Sequence, residues 1–199
     1  MQSSTTTQFS SGGFQANILV ASDVAALQLF FEENPEYFLA VNGDPPRRSE
    51  AQEEFDYLTP AEMSFNERWL IGFTDETGKL VGFAGILSDI LAAHVWHIGT
   101  FIVATSLHGT GVASSFYEAL ESWMASNGAK WVRLGVVEGN VKAEHFWRKL
   151  GYNEVRKRIG IQMGRRTNSV RILVKPLSKS TTAQYLSLVE RDNPNSVLE

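Results

Sequence analysis

The chain has 199 residues, 43% hydrophobic and 20% charged, which suits one globular domain with a substantial core. A net charge of −4 argues against attraction to nucleic acid or anionic lipid, and the absence of cysteine excludes disulfides, thiolate metal ligands and a cysteine nucleophile. No apolar run approaches the roughly 20 residues that span a bilayer, so the sequence predicts a soluble, cytoplasmic protein that does not engage the membrane.

In chain order, MQSSTTTQFSSGG is polar, without the basic and apolar regions of a secretory signal, and reads as a disordered tail over residues 1–14. NILVA (17–21) reads as a short buried strand. Ser22 or Asp23 then caps a helix whose Leu27, Phe30 and Phe31 follow helical spacing. ENPEYFLAVNGDPPRR holds a short helix between breaks at Asn-Pro and Gly-Asp-Pro-Pro. Ser49 is placed to cap a third helix, with Gln52 completing a capping box and Pro60 closing the region. RWLIGFTDETGKLVGFAGIL then reads as a hairpin turning at Asp-Glu-Thr-Gly, followed by a third strand, HVWHIGTFIV. A helix over about 111–126, the strand WVRLGVV, a helix over about 141–150 and the strands YNEVRKRIGIQM and SVRILVK complete the pattern, with Gly128 and Gly151 at helix ends. Residues 15–176 read as a single domain with its core over 69–175, and 177–199 as an extension with one short helix at AQYLSLV. The order predicts an α/β or α+β layered fold, with antiparallel strands first and a βαβ crossover in the middle.

Charge divides along the chain. Acids crowd residues 22–67, opposed only by Arg47 and Arg48, whereas bases crowd 130–175, including Arg156, Lys157 and Arg158. Two solvated faces would explain this, and so would an anionic ligand on one side with a cationic one on the other.

LHGTGVASSFYEAL (107–120) joins a glycine-broken loop to an amphipathic helix. The first four N–H groups of a helix lack internal partners, and glycines before them let a ligand approach the backbone, so this is an anion site suited to phosphate or pyrophosphate. A Walker loop would need a lysine, and none occurs between Lys79 and Lys130. A dinucleotide fingerprint would need a third glycine where Ser114 stands. His108, Gly111 and Ala113 instead take the spacing of a Gln/Arg-x-x-Gly-x-Gly/Ala signature. Downstream, Asn140, Ala143, Phe146, Trp147, Leu150, Gly151 and Tyr152 fall into register with a second motif. Together, over roughly Trp69 to Lys175, the two resemble the GNAT superfamily of acyl-CoA-dependent N-acyltransferases.

The resemblance implies a single mixed, mostly antiparallel twisted sheet flanked by helices, with extra N-terminal helices. It also implies acetyl-CoA or another acyl-CoA as co-substrate, with no metal. The backbone from His108 through Gly109, Thr110, Gly111 and Val112 to Ala113 would bind the pyrophosphate, and Ser114 would add a hydroxyl. The edge Phe101–Ile102–Val103 would pair with the pantetheine, and Asn140, Phe146 and Trp147 would flank the arm and thiol. Direct attack of a primary amine on the thioester needs a base, an oxyanion donor and protection of the leaving thiolate. Ile102 or Val103 would supply the oxyanion N–H. His97 is the candidate base, sharing strand parity with Phe101 and Val103. The acid is unassigned: the family's tyrosine position holds Trp147, whose indole donates a hydrogen bond but delivers no proton, leaving Tyr152, Tyr117 and Tyr37. Glu33, Glu36, Tyr37 and Asn42 are the candidates for acceptor contacts, and the acceptor is a small-molecule or peptide amine. A non-catalytic acyl-CoA-binding regulatory module is the alternative. Nucleic acid is disfavoured by charge, and a homodimer is compatible with the sequence.

Overall fold

A computed structural model describes residues 7–57 and 63–197. Eight strands form one sheet in the order β1-β2-β3-β4-β5-β6-β8-β7. They are β1 (Thr7–Ser11), β2 (Phe14–Ile18), β3 (Arg68–Thr74), β4 (Leu80–Leu87), β5 (Val95–Val103), β6 (Trp131–Val137), β7 (Asn153–Met163) and β8 (Arg166–Pro176). Only β5 and β6 run parallel; the other neighbours are antiparallel. The helices are α1 (Val24–Glu33), α2 (Glu36–Val41), α3 (Glu50–Asp56), α4 (Val112–Ser126), α5 (Val141–Lys149) and α6 (Thr182–Leu188).

Alternation along the strands sends side chains to two helical layers. On one face Trp69 and Trp96 stack at 4.9 Å with Trp123 of α4 edge-on, and Phe73 stacks on Phe116 of α4 at 4.3 Å. Phe101 meets Phe146 and Trp147 of α5 on this same face. The opposite face carries α1–α3 over its first half: Phe83 packs edge-on against Phe31 of α1, and Thr100 bonds Glu54 of α3. Over the second half of that face lies the C-terminal segment, with Tyr185 and Val189 buried against Trp131, Ile172 and Val174.

Local chemistry fixes the boundaries. Leu27, Phe30 and Phe31 are buried at helical spacing in α1, each contributing about 1.5–3 kcal/mol. Asp75 Oδ1 accepts from Thr77 and Lys79 N–H and closes the hairpin turn. The Asn140 side chain caps α5 by accepting from Ala143 N–H, and Arg148 and Lys149 fall in its last turn, where they oppose the helix dipole.

Three expectations are corrected. The segment read as a tail supplies β1 from Thr7 onward, because Phe9 packs against Phe73 and Trp123 and so carries apolar surface worth burying. The strand read over 17–21 runs instead over 14–18, and the chain turns at Ala21–Asp23, where Asp23 accepts from Val20 N–H. Gln52 completes no capping box: its amide reaches Asp56, one turn on, and Ser49 bonds Glu53. Pro60 lies outside the described residues.

The basic run of β7 is spent internally. Arg156 donates to the carbonyls of Arg191 and Asn193, Arg158 to Arg191 O and to Asp192, and Lys157 to Glu138. Asp192, fully buried, also accepts from Arg133 of β6 (2.6 and 3.2 Å) and from the Tyr185 hydroxyl (2.5 Å). Together these bonds fasten the extension to the sheet.

Candidate functional site

β5 and β6 pair from Val95↔Trp131 to Ile98↔Leu134 and then separate, although β5 continues to Val103 beside β4. At the same level the β4–β5 register slips by one residue, Gly85↔Thr100 being followed by Ile86↔Ile98. Gly99 is therefore the extra residue of a bulge, which bends β5 away from β6 and opens a slot.

The ladder says which backbone groups face that slot. Ala104 N–H donates to Val81 O, so Ala104 and, two residues back, Ile102 bond β4. Phe101 and Val103 point the other way. Ile102 thus faces β4, away from the expected pantetheine edge and oxyanion position, and the backbone groups of Phe101 and Val103 face the slot. The Val103 carbonyl already accepts from His108 Nε2 at 3.0 Å. His108 therefore pins the loop to the strand with its ring, and its backbone N–H, expected at the pyrophosphate, donates instead to Thr105 O at 3.1 Å.

Beyond β5 a 3-10 turn (Thr105–Leu107) leads to His108, Gly109 and Gly111, the last at φ +90° as N-cap of α4. Thr110 Oγ donates to Leu107 O and accepts from Val112 N–H. The amides of Gly109, Gly111, Ala113 and Ser114 find no acceptor among the described residues. Nothing stands within 4 Å of where a Cβ on Gly109 or Gly111 would project. Open donors at the positive end of a 15-residue helix, reachable by a ligand, make an anion cradle.

Across the slot, Phe101 stacks on Phe146 (6.0 Å) and meets Trp147 edge-on (5.6 Å). Behind Trp147 lie Tyr117 and Tyr152, both buried, with the Tyr117 hydroxyl bonded to Tyr152 (3.0 Å) and to Glu121, which also binds Lys175. Burial raises both phenols well above their ordinary range, Tyr117 also through the neighbouring Tyr152 and Glu121. Such groups hold protons tightly, so the structure gives neither the properties of a thiolate-protonating acid.

The bulge also breaks the parity argument for His97. It lies opposite Leu87, on the face of Thr100 and Ile102, and not with Phe101 and Val103. Its Nδ1 is 3.0 Å from Arg133 O, and since a carbonyl only accepts, Nδ1 carries the hydrogen. Burial, and next the Arg133 guanidinium, push its pKa down to about 3. A base that weak takes little proton from an ammonium. The sign of the stability effect follows: an unfolded histidine titrates near 6.5. Stability is then full above that pH and falls as pH drops towards 3, where the folded ring finally protonates. His97→Asn keeps a donor to Arg133 O, and the loss of urea midpoint between pH 7 and pH 5 is expected to be smaller in the variant than in wild type.

The acceptor candidates separate. Glu33 pairs with Lys79 on the β3–β4 hairpin. Glu36 accepts from Thr105 Oγ at 2.6 Å, a bond that lowers its pKa and ties α2 to the cradle. The Asn42 carbonyl accepts from Arg165 N–H, and with Arg166 on Ala40 O and Asn168 on Val41 O it joins α2 to the β7–β8 turn. Tyr37 alone reaches the level of the bulge, its hydroxyl raised to about 12 by burial and by Glu54 beside it.

Sequence reasoning missed the carboxylate whose charge acts on Tyr37. Glu54 accepts from Thr100 Oγ (3.0 Å) and from Arg68 Nη2 (3.0 Å), and burial raises its carboxyl pKa. The signal was available: Glu54 follows the buried Ala51 by three residues, an inward position on an amphipathic helix. Among the described residues no cluster of three metal-ligating side chains occurs, and no helix is long and apolar enough to cross a membrane.

Residues 27–152 match the family model described as "Acetyltransferase (GNAT) family". Solved structures with the same fold include a GCN5-related N-acetyltransferase from Kribbella flavida (20% identity, TM-score 0.60, covering 83% of this chain and 98% of that one). The spermidine N-acetyltransferase of Vibrio cholerae, in complex with CoA and spermine, is also similar (16%, TM-score 0.63, 84% and 97%). So is the ribosomal-protein-S18-alanine N-acetyltransferase of Escherichia coli (15%, TM-score 0.60, 84% and 96%). No curated protein sequence matches the chain significantly.

Proposed function

Because the chain belongs to the acetyltransferase (GNAT) family and is an acetyltransferase enzyme, we propose that it transfers an acetyl group from acetyl-CoA to a primary amine by direct attack in a ternary complex. The observation that carries this reading is the set of free amides at Gly109, Gly111, Ala113 and Ser114, which follow the strand that parts from β6 to open the slot. The diphosphate rests on those amides, the pantetheine runs along the Phe101 and Val103 edge between β5 and β6, and Phe146 and Trp147 line the arm. The N–H of Phe101 or Val103, already aimed into the slot, stabilises the tetrahedral oxyanion. The thiolate leaves without a tyrosine acid.

The acceptor enters from the face covered by α2 and α3, under the joint between α2 and the β7–β8 turn. Tyr37 and Glu54 stand on that side, and a carboxylate-bearing cleft favours a cationic amine. Among the similar structures, one carries spermine and another is named for an alanine of ribosomal protein S18 as the site of N-acetylation. Thiol release from acetyl-CoA over a panel of polyamines, amino acids and N-terminal peptides tests the reading. Release above a no-amine blank supports it, whereas tight acetyl-CoA binding without release from any amine favours a regulatory module.

The joint itself gives a specificity test. Gly164 has φ +55°, and a Cβ there would sit 2.8 Å from Asn42 O. Gly164→Ala is expected to raise KM for the amine about five- to thirtyfold, through about 1–2 kcal/mol of displaced contact and left-handed strain. KM for acetyl-CoA should stay unchanged, as initial-rate kinetics in both substrates will show.

A further inference from the structure

We propose that Glu54 is the proton acceptor of the transfer, standing on the amine side of the sheet at the level of the β5 bulge. The proposal rests on the acyl-transfer reading above.

Its placement follows from three elements. α3 buries Ala51 against α1 and so turns residue 54 towards the sheet. Beneath the carboxylate lies Gly85 of β4; a Cβ there would stand 3.7 Å from Glu54 Oε2, in ordinary van der Waals contact, so the acid lies against the strand. Gly85 is the ladder partner of Thr100, the first residue past the bulge, whose hydroxyl donates to Oε1. The carboxylate thus sits one residue from where β5 parts from β6.

Both oxygens are oriented and neither is saturated. Arg68, resting over the Tyr57 ring at 5.3 Å, holds Oε2, and Thr100 holds Oε1. Each oxygen keeps a second lone pair. The side chain is 23% exposed, so the carboxylate is not sealed from solvent. Arg68 favours the anion while burial favours the acid, a balance suited to a group that must be charged before the reaction and neutral during it.

The step balances. The incoming ammonium gives one proton to Glu54, leaving a neutral amine. Its nitrogen lone pair forms the C–N bond at the thioester carbon, and the C–S bond then breaks with its electrons on sulfur. A second proton leaves the nitrogen for the thiolate, giving amide and free thiol, and Glu54 returns its proton to water.

Glu54→Gln is nearly isosteric and keeps an oxygen for Thr100 or Arg68. It is expected to lower kcat about a hundredfold, within the usual range for removing a general base. Calorimetric affinity for coenzyme A should be unchanged. The acidic limb of kcat/KM for the amine should disappear. The charged and titratable groups facing Glu54 are Tyr37 from α2, Glu50 and Tyr57 from α3, Arg68 from β3 and His97 farther back on β5. If the Gln variant does not fold, Glu54→Asp withdraws the carboxylate by one methylene and should lower kcat about tenfold while retaining the limb. An active wild type whose Gln or Asp variant keeps full kcat and an unchanged pH profile overturns the role of Glu54 and leaves acyl transfer standing. A wild type that binds acetyl-CoA and transfers to no amine overturns both.

Discussion

Ser114→Glu is expected to abolish useful coenzyme A binding, weakening it several hundredfold, while leaving the fold as stable as before or slightly more so. The opposite signs come from one feature. Position 114 is in the first turn of α4, where a carboxylate meets the positive end of the helix and contributes about 0.3–1 kcal/mol. A diphosphate on the same amides would meet that carboxylate as a like charge. Two charges on the ligand at about 5 Å, in an effective dielectric of about 40, are opposed by about 3 kcal/mol, or two to three decades of affinity. Titration calorimetry with coenzyme A and a thermal melt on the same sample read the two effects. Undiminished affinity would place the diphosphate elsewhere and remove the basis for the proposed cofactor path.

Asp192→Ala is expected to give the largest loss of stability. Removing this carboxylate strands Arg133, 5% exposed, with Arg158 and Arg191 close by and no anion among them. Breaking a buried pair by deleting one partner costs about 3–5 kcal/mol. For a chain of this size that is a fall in Tm of about 10 °C. Burial pushes the Asp192 pKa up, but the hydrogen bonds and charges of Arg133, Tyr185 and Arg158 outweigh it and hold the group at about 2. Its contribution is therefore full above about pH 4, the unfolded value, and is lost as pH falls towards 2. Acid titration of wild type and variant, followed by circular dichroism, should show the two stabilities converging near pH 2. Equal melting temperatures at pH 7 would mean that the extension is not fastened by this pair.

Most of the core was legible because its periodicities are strong. β6 falls on WVRLGVV as read, and α4 and α5 begin and end within a residue or so of the expected positions, with Gly128 and Gly151 at positive φ beyond them. The helix read at AQYLSLV is α6. What escaped was set by non-local partners. Phe9 becomes part of a strand only because Phe73 and Trp123 wait for it, across more than sixty residues of chain. Gly99 looks like any strand glycine until β4 supplies a register against which it is one too many, and that single residue moved His97 to the other face. Glu54 was hidden in a cluster of acids whose exposed members, such as Glu53, gave it the look of solvated surface. Arg156 and Arg158 read as a basic patch because the residues that consume them are more than thirty positions away.

The five tryptophans fall into optically separable places. Trp69 and Trp96, stacked with ring planes 12° from parallel, are near enough to share excitation, so their coupled absorption is a signature of the packed seam under α4 and vanishes when that seam parts. Trp131, whose indole N–H is held by Thr181 O, reports on the C-terminal segment. Trp147, beside the slot, is the indole whose emission an arriving thioester would quench or shift. One unlabelled chain thus carries its own spectroscopic markers for core, extension and the proposed cofactor path.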